Sequence, residues 1–205
     1  PTSSSAQIIG SYLMTKLNTY FHQFKTNLNT DINGLSLAIF RIGFGLILGL
    51  QEGIGSLLSD KFYTGYMSTL FHAPYPGLAA ITLPTSPYVT YGLYFILICS
   101  SLFIALGLYF RVSSLIFFLT YTYFFLIDYN FYNNHYYLIC LFGLFLFLSN
   151  AHSRWSLDSC RLKIDPPKRW HLFLFQFQIC VMFFYAGLAK LTSINWLNAE
   201  PLKLW

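Results

Sequence analysis

The sequence has 205 residues, of which 56% are hydrophobic, 20% are aromatic and only 9% are charged. Average soluble domains carry roughly 25% charged residues, so the composition excludes an ordinary soluble enzyme and indicates a chain embedded in a membrane. The formal net charge of +5 suits attraction to anionic lipid. Nucleic-acid binding is disfavoured, because no basic patch stands apart from the membrane flanks.

The first segment, residues 1–30, is predicted to be an amphipathic helix that lies in the membrane interface. Its apolar residues recur mostly every four positions, while basic and amide side chains occupy the other sides of the helix. The recurring apolar residues are Ile9, Leu13, Leu17, Tyr20, Phe24 and Leu28. Residues 31–205 are assigned to a single transmembrane domain.

Five apolar runs follow the first segment. Three of them reach about 20 residues, the length that an α-helix needs to cross a bilayer. The two shorter runs become long enough if polar residues such as Asp128 and His135 lie at the membrane edge. The runs are Leu35–Leu58, Tyr88–Tyr109, Val112–Ile127, Tyr136–Ser149 and Leu172–Leu191. The sequence therefore predicts an all-α integral membrane protein, a bundle of about five transmembrane helices preceded by an interfacial amphipathic helix.

Basic residues predict the direction in which the helices cross, since Lys and Arg collect in short cytoplasmic loops. With the N-terminus inside, the inner basic residues are Lys16, Lys25, Arg111, Arg154, Arg161, Lys163, Lys168 and Arg169. The outer ones are Lys61, Lys190 and Lys203. Arg41, early in the first span, is expected to snorkel toward the inner water. We therefore predict a cytoplasmic N-terminus, a cytoplasmic loop at 150–171 and an outer loop at 59–87.

Polar residues cluster at the predicted outer ends of the spans. Asp128, Asn133, Asn134 and His135 lie at the turn between the third and fourth spans, and Lys190 lies near the end of the fifth. Ionisable groups at membrane depth cost about 2.5–3.5 kcal/mol on insertion scales, so they need a partner, a water-filled cavity or a function. An amine and an imidazole are therefore predicted on the same side of the membrane.

Each of these residues also has a purely structural interpretation. Lys190 can be a snorkelling lysine whose charge suits the C-terminal end of a helix. Asn133 or Asn134 can cap the fourth span, His135 can be an interfacial histidine bonded to backbone, and Asp128 can be a solvated helix end. The residues by themselves leave both interpretations open.

The four cysteines show no C-x-x-C spacing, so neither a disulfide framework nor a metal site is predicted.

Two motifs carry a resemblance to a known family. The first is NNH followed by Tyr and Leu at 133–138, and the second is A-G-x-x-K-L at 186–191, with Trp196 six residues after Lys190. Together with RWSLD at 154–158, these motifs resemble the vitamin K-dependent gamma-glutamyl carboxylase family. The resemblance runs in the same order from about residue 35 to the end of the sequence. It covers the horizontally transferred transmembrane (HTTM) domain, which these carboxylases share with bacterial relatives.

The resemblance implies a reaction that couples oxygenation of a hydroquinone to carboxylation of glutamate. Lys190 would remove a proton from reduced vitamin K or another hydroquinone, and O2 would then add. The strong base formed on the ring would take a γ-proton from Glu so that CO2 can add, without a metal. His135 and Asn134 would assist at the quinone. Further candidates for substrate contact are Asn133, Tyr185 and Trp196.

The sequence also departs from the pattern of that family. Ala189 precedes Lys190 where the family often shows two lysines, and the sequence ends at Trp205 where the carboxylases continue with a large outer domain. We therefore expect either a fragment or a short relative that needs a partner subunit.

Two functions follow. The first is an enzyme in the bacterial cytoplasmic membrane whose site faces the periplasm or lumen and receives a hydroquinone and a Glu-containing peptide. The second is a non-catalytic HTTM subunit that binds a quinone or assists peptide maturation with a partner.

Overall fold

A computed structural model of the chain describes residues 2–68, 72–78 and 80–200, and almost all regular structure in these ranges is helical. The helices are α1 (Thr2–Leu28), α2 (Leu35–Leu58), α3 (Pro87–Leu106), α4 (Phe110–Ile127), α5 (Asn134–Leu148), α6 (Leu157–Arg161), α7 (Arg169–Leu191) and α8 (Ile194–Leu197). The described ranges contain two segments of π-helix, Ile47–Ile54 inside α2 and Tyr63–Met67 after it. The prediction of an all-α membrane protein is confirmed.

Among the described residues, the four helices α2, α3, α4 and α7 are long and apolar enough to cross a membrane. Helix α5 has 15 residues and extends only about 22 Å, which is less than the bilayer core of about 30 Å. Its crossing therefore stays a prediction. Helix α3 ends at Leu106 rather than at the predicted Tyr109, because Gly107 adopts a φ of 64°, the left-handed conformation that closes helices.

The chain divides into two compact units. One unit is 31–168, and the other combines the described residues up to Thr30 with those from Arg169 onward. Within 31–168, α2 packs on α3, α3 on α4 and α4 on α5, so helices that follow each other in sequence are neighbours in space.

Glycines allow α2 to approach α3 closely. Gly45, Gly49 and Gly53 recur at four-residue spacing and are buried. A Cβ atom at Gly45 would lie 2.5 Å from the carbonyl oxygen of Ser101, and one at Gly53 would lie 2.7 Å from a side-chain carbon of Ile98. Small residues at such spacing are typical of helix pairs in membranes, where close packing replaces the hydrophobic effect as the cause of association.

Arg41 connects α2 with the end of α3 and with the loop before α6, at one end of this bundle. Its side chain is fully buried. Nη1 donates to the carbonyl oxygens of Ile104 and Ala105, each at 2.6 Å, and Nη2 donates to that of Trp155 at 2.6 Å. The expectation that Arg41 snorkels to water is therefore wrong. The guanidinium instead donates from its two Nη atoms to carbonyls at the end of α3 and in the loop before α6.

Asp158 fixes the start of α4 at the same end. Its carboxylate accepts from the backbone N–H groups of Tyr109 at 3.0 Å and Phe110 at 2.8 Å, which satisfies donors that a helix N-terminus leaves open.

The ring of His152 stacks on Phe110, with 4.6 Å between the ring centroids. Burial, followed by the nearby positive charge of Arg111, lowers the pKa of His152 to about 4. The imidazole is therefore neutral at physiological pH.

The second unit contains α1, α7 and α8. Helices α1 and α7 contact each other, and the rings of Phe24 and Phe173 meet edge to face with 6.1 Å between their centroids. The backbone N–H of Arg169 donates to the carbonyl of Thr30 at 2.9 Å. Most of α7 is exposed, which suits a helix that contacts lipid.

The predicted orientation can be tested by cysteine labelling. Ser68 is exposed after the second π-helical segment, and Cys160 is exposed in α6. Because basic residues gather in the 150–171 loop, a membrane-impermeant maleimide added to intact cells should label Ser68→Cys and leave Cys160 unlabelled. Each thiol would be tested in a background without the other cysteines, and permeabilised cells would serve as the control. Labelling of Cys160 alone in intact cells would contradict the orientation.

Candidate functional site

The NNH motif forms a local hydrogen-bond network at the start of α5. Asn133 is the N-cap, and its Oδ1 accepts from the backbone N–H of His135 at 3.0 Å. The same Oδ1 lies 2.7 Å from Nδ1 of the His135 ring. Because this oxygen belongs to an amide carbonyl, it has no hydrogen to donate. Nδ1 must therefore be the donor in the contact with the ring, and it carries a proton. In the neutral imidazole Nε2 then keeps a free lone pair.

This geometry settles part of the structural interpretation. The expectation that Asn133 or Asn134 caps the helix is confirmed for Asn133. Asn134 is the first residue of α5 and is exposed, as is His135. The NNH sequence therefore orients one imidazole and leaves its second nitrogen accessible, which is what an acid–base or hydrogen-bonding role requires.

Asp128, expected to be a solvated helix end, is instead 2% exposed. Its carboxylate accepts from the backbone N–H groups of Asn130 at 2.9 Å and Ala73 at 3.2 Å, and it lies 3.0 Å from Nδ1 of His72. Burial acts to raise the pKa of Asp128, but these hydrogen bonds outweigh it and hold the pKa below its ordinary value. The segment that contains His72 and Ala73 is thereby tied to the end of α4.

A cavity of about 390 Å³ lies inside the 31–168 unit. It is bounded by the helices α2, α3 and α4, by the start of α5 and by the segment between α2 and α3. Half of its lining residues are aromatic, four of them tyrosines, and the lining also holds one carboxylate and one amine. The lining residues are Leu48, Glu52, Gly53, Ser56, Lys61, Gly65, Tyr66, Tyr94, Leu97, Phe117, Tyr121, Phe124, Phe125 and Tyr136.

The cavity combines flat apolar walls with hydrogen-bonding groups. Phe117 and Tyr121 stack with their ring centroids 5.4 Å apart, and Tyr66 meets Phe124 edge to face at 5.3 Å. Burial, with smaller contributions from neighbouring acidic groups, raises the pKa of Tyr66 above its ordinary value, so its phenol stays protonated. A flat ring with polar substituents suits such walls better than an aliphatic ligand does.

Lys190 lies in the last turn of α7, in the other unit. Its Nζ is 4.4 Å from the centroid of the Trp196 ring, which is a cation–π distance. Tyr185 is 67% exposed and packs edge to face on Phe184, with 5.8 Å between the ring centroids. The predicted residues therefore form two local groups, Asn133 with His135 and Lys190 with Trp196. The expectation that Lys190 and His135 converge on one pocket within about 10 Å stays a prediction.

Comparison with known families matches residues 29–205 to the HTTM domain. The chain belongs to the HTTM family. The match extends over both units and agrees with the resemblance drawn from the motifs. No solved structure matches the chain.

Sequence reasoning missed several polar residues that line the cavity of this HTTM chain, namely Glu52, Lys61, Tyr66 and Tyr94. One signal was available for Glu52, which is an acidic residue inside an apolar run of spanning length, and such residues call for a functional explanation. The tyrosines carried no signal, because 16 tyrosines are spread through the sequence and only the packing selects the four at the cavity.

Proposed function

We propose that this HTTM protein is a membrane enzyme of the carboxylase type. It couples oxidation of a hydroquinone by O2 to the addition of CO2 at glutamate side chains of a peptide. The observation that carries the proposal is the aromatic cavity of the 31–168 unit. Its volume of about 390 Å³ falls within the usual range for small-molecule pockets, about 300–1,000 Å³.

The cavity walls suit a hydroquinone ring in shape and in chemistry. Phe117 and Tyr121 offer aromatic faces against which a flat ring packs. The protonated phenol of Tyr66 donates a hydrogen bond to a ring oxygen. Aromatic side chains and two leucines cover much of the pocket, with the polar groups of Glu52, Ser56 and Lys61 among them. The apolar faces reduce the access of water to a bound ring, as a reaction that passes through a strong base requires.

His135 and Lys190 have separate roles in the proposed reaction. Tyr136, which lines the cavity, directly follows His135, and Asn133 orients the imidazole so that Nε2 can accept a hydrogen bond from a ring hydroxyl. The amine of Lys190 takes the hydroxyl proton, and Trp196 restricts the position of that amine. The hydroquinone, when bound, supplies the reducing equivalents for O2. A non-catalytic subunit that binds a quinone would use the cavity as well, but it would not need the oriented imidazole.

Filling the cavity tests the proposal. Ser56 lines the cavity, so Ser56→Trp should lower the affinity for a naphthohydroquinone about tenfold or more, a loss of at least 1.4 kcal/mol. Incorporation of labelled CO2 into a Glu peptide, measured with the purified full chain, hydroquinone and O2, should fall in parallel. Ser59→Trp is the matched control, because Ser59 is exposed three residues later and is not part of the lining.

Two results would contradict the proposal in different ways. If the unmodified chain incorporates no label above the background without hydroquinone, the carboxylase activity is wrong. If it incorporates label and the two tryptophan variants behave alike, the activity stands but the ring does not bind in this cavity.

A further inference from the structure

Glu52 is a carboxylate within α2 that lines the cavity and is exposed. Its backbone carbonyl accepts from the hydroxyl of Tyr94 at 3.0 Å. Among the described residues, no hydrogen bond or ion pair reaches its carboxylate oxygens. An acidic residue inside a helix of spanning length needs a partner or a function, and here the side chain is available to a ligand.

The local backbone supports a functional role for this position. Glu52 lies in the π-helical segment Ile47–Ile54, and Tyr66 lies in the second such segment, Tyr63–Met67. Both segments contribute to the lining of the same cavity. π-Helix accounts for well under 1% of residues in ordinary proteins, and it occurs frequently at functional sites. Two such segments on one cavity indicate that the backbone is shaped for a ligand.

The chemistry of a carboxylate suggests which ligand. A hydroquinone has two O–H groups that donate hydrogen bonds, whereas the oxidised quinone has only acceptors. The oxygens of both forms can accept, so a lysine or a tyrosine can bind either form. An ionised carboxylate only accepts, and it can therefore bind the reduced ring but not the oxidised one.

We propose that Glu52 makes the cavity select the reduced form of its ring ligand, by accepting a hydrogen bond from a ring hydroxyl. The inference rests on the proposed function, in which the cavity holds a hydroquinone. Selection of this kind has a direct use, since only the reduced ring can react with O2, and the spent form must leave. Lys61, which lines the same cavity, donates only and gives no such preference.

Anaerobic binding measurements test the inference. The probes are 2-methyl-1,4-naphthoquinone and its dithionite-reduced hydroquinone, titrated against the full chain in detergent. The unmodified chain should bind the hydroquinone about 10- to 100-fold more tightly, the usual effect of one hydrogen bond to a charged group. Glu52→Gln should reduce this ratio to within about threefold, because a carboxamide donates as well as accepts.

Matched variants separate this role from a structural one. Glu52→Asp should keep the preference, since it remains an obligate acceptor, and Glu52→Ala should lose it. Glu200→Gln is the control, because Glu200 is the other glutamate in the sequence and is not among the lining residues.

An unmodified chain that binds both forms equally, or a Glu52→Gln variant that keeps the full preference, would overturn the inference while the proposed function stands. Failure of the unmodified chain to bind either form would overturn the proposed site together with the inference.

Discussion

Replacing Lys190 by alanine is expected to lower hydroquinone-dependent incorporation of CO2 by about 10²- to 10⁴-fold, the range for loss of a general base. The substitution removes the amine that takes the hydroxyl proton in the proposed reaction. The fold should survive, because Lys190 is exposed in the last turn of α7 and its side-chain amine contacts the Trp196 ring. Initial rates with equal amounts of detergent-purified protein measure the effect.

Two controls make the Lys190 result specific. Lys163→Ala removes an exposed lysine from the loop before α7 and should leave the rate unchanged. A small primary amine added to Lys190→Ala should restore part of the rate, since it supplies the missing base where the side chain was. Equal rates for the variant and the unmodified chain, with equal thermal stability, would show that Lys190 is a snorkelling lysine. The non-catalytic function would then be favoured.

The helices could be predicted from the sequence because their signal is local. Length and apolarity place α2, α3, α4 and α7 within three residues of the observed bounds, and the end of α3 differs because Gly107 closes the helix before Tyr109. Asn133 as a cap is local too, since its partner is the backbone two residues later. Helix bounds and helix caps are set by residues that are close together in the sequence, so they can be predicted from it.

The environment of the charged residues could not be predicted in the same way. Asp128 is buried because Ala73 and His72 reach it from 55 and 56 residues away, and a pattern read along the chain does not contain such contacts. The cavity has the same origin, because its lining comes from segments between Leu48 and Tyr136. Sequence motifs therefore predicted roles for His135 and Lys190, and the apolar run around Glu52 offered a signal for that carboxylate, whereas packing alone revealed the tyrosines.

Arg41 shows how a buried charge can stabilise a fold through the hydrogen bonds that it donates. Three carbonyl oxygens accept from its guanidinium, those of Ile104, Ala105 and Trp155. The first two belong to the C-terminal turn of α3, and the carbonyl of Ile104 also accepts from the backbone N–H of Gly107 at 3.0 Å. A Cβ at Gly107 would lie 2.7 Å from Nη1, so the backbone closes tightly around the guanidinium.

Arg41→Met should therefore lower the free energy of unfolding by about 3–4 kcal/mol, because hydrogen bonds to a charged group contribute about 1.5–3 kcal/mol each and do not add fully. Arg41→Lys should lose a smaller amount, since one ammonium cannot span three carbonyls as the planar guanidinium does. Arg154→Met is the matched control and should change stability by less than about 0.5 kcal/mol, because Arg154 is exposed. Unfolding by sodium dodecyl sulfate in mixed micelles measures all three variants. Equal stability of Arg41→Met and Arg154→Met would mean that the three carbonyls find other donors and that Arg41 does not hold the end of the bundle together.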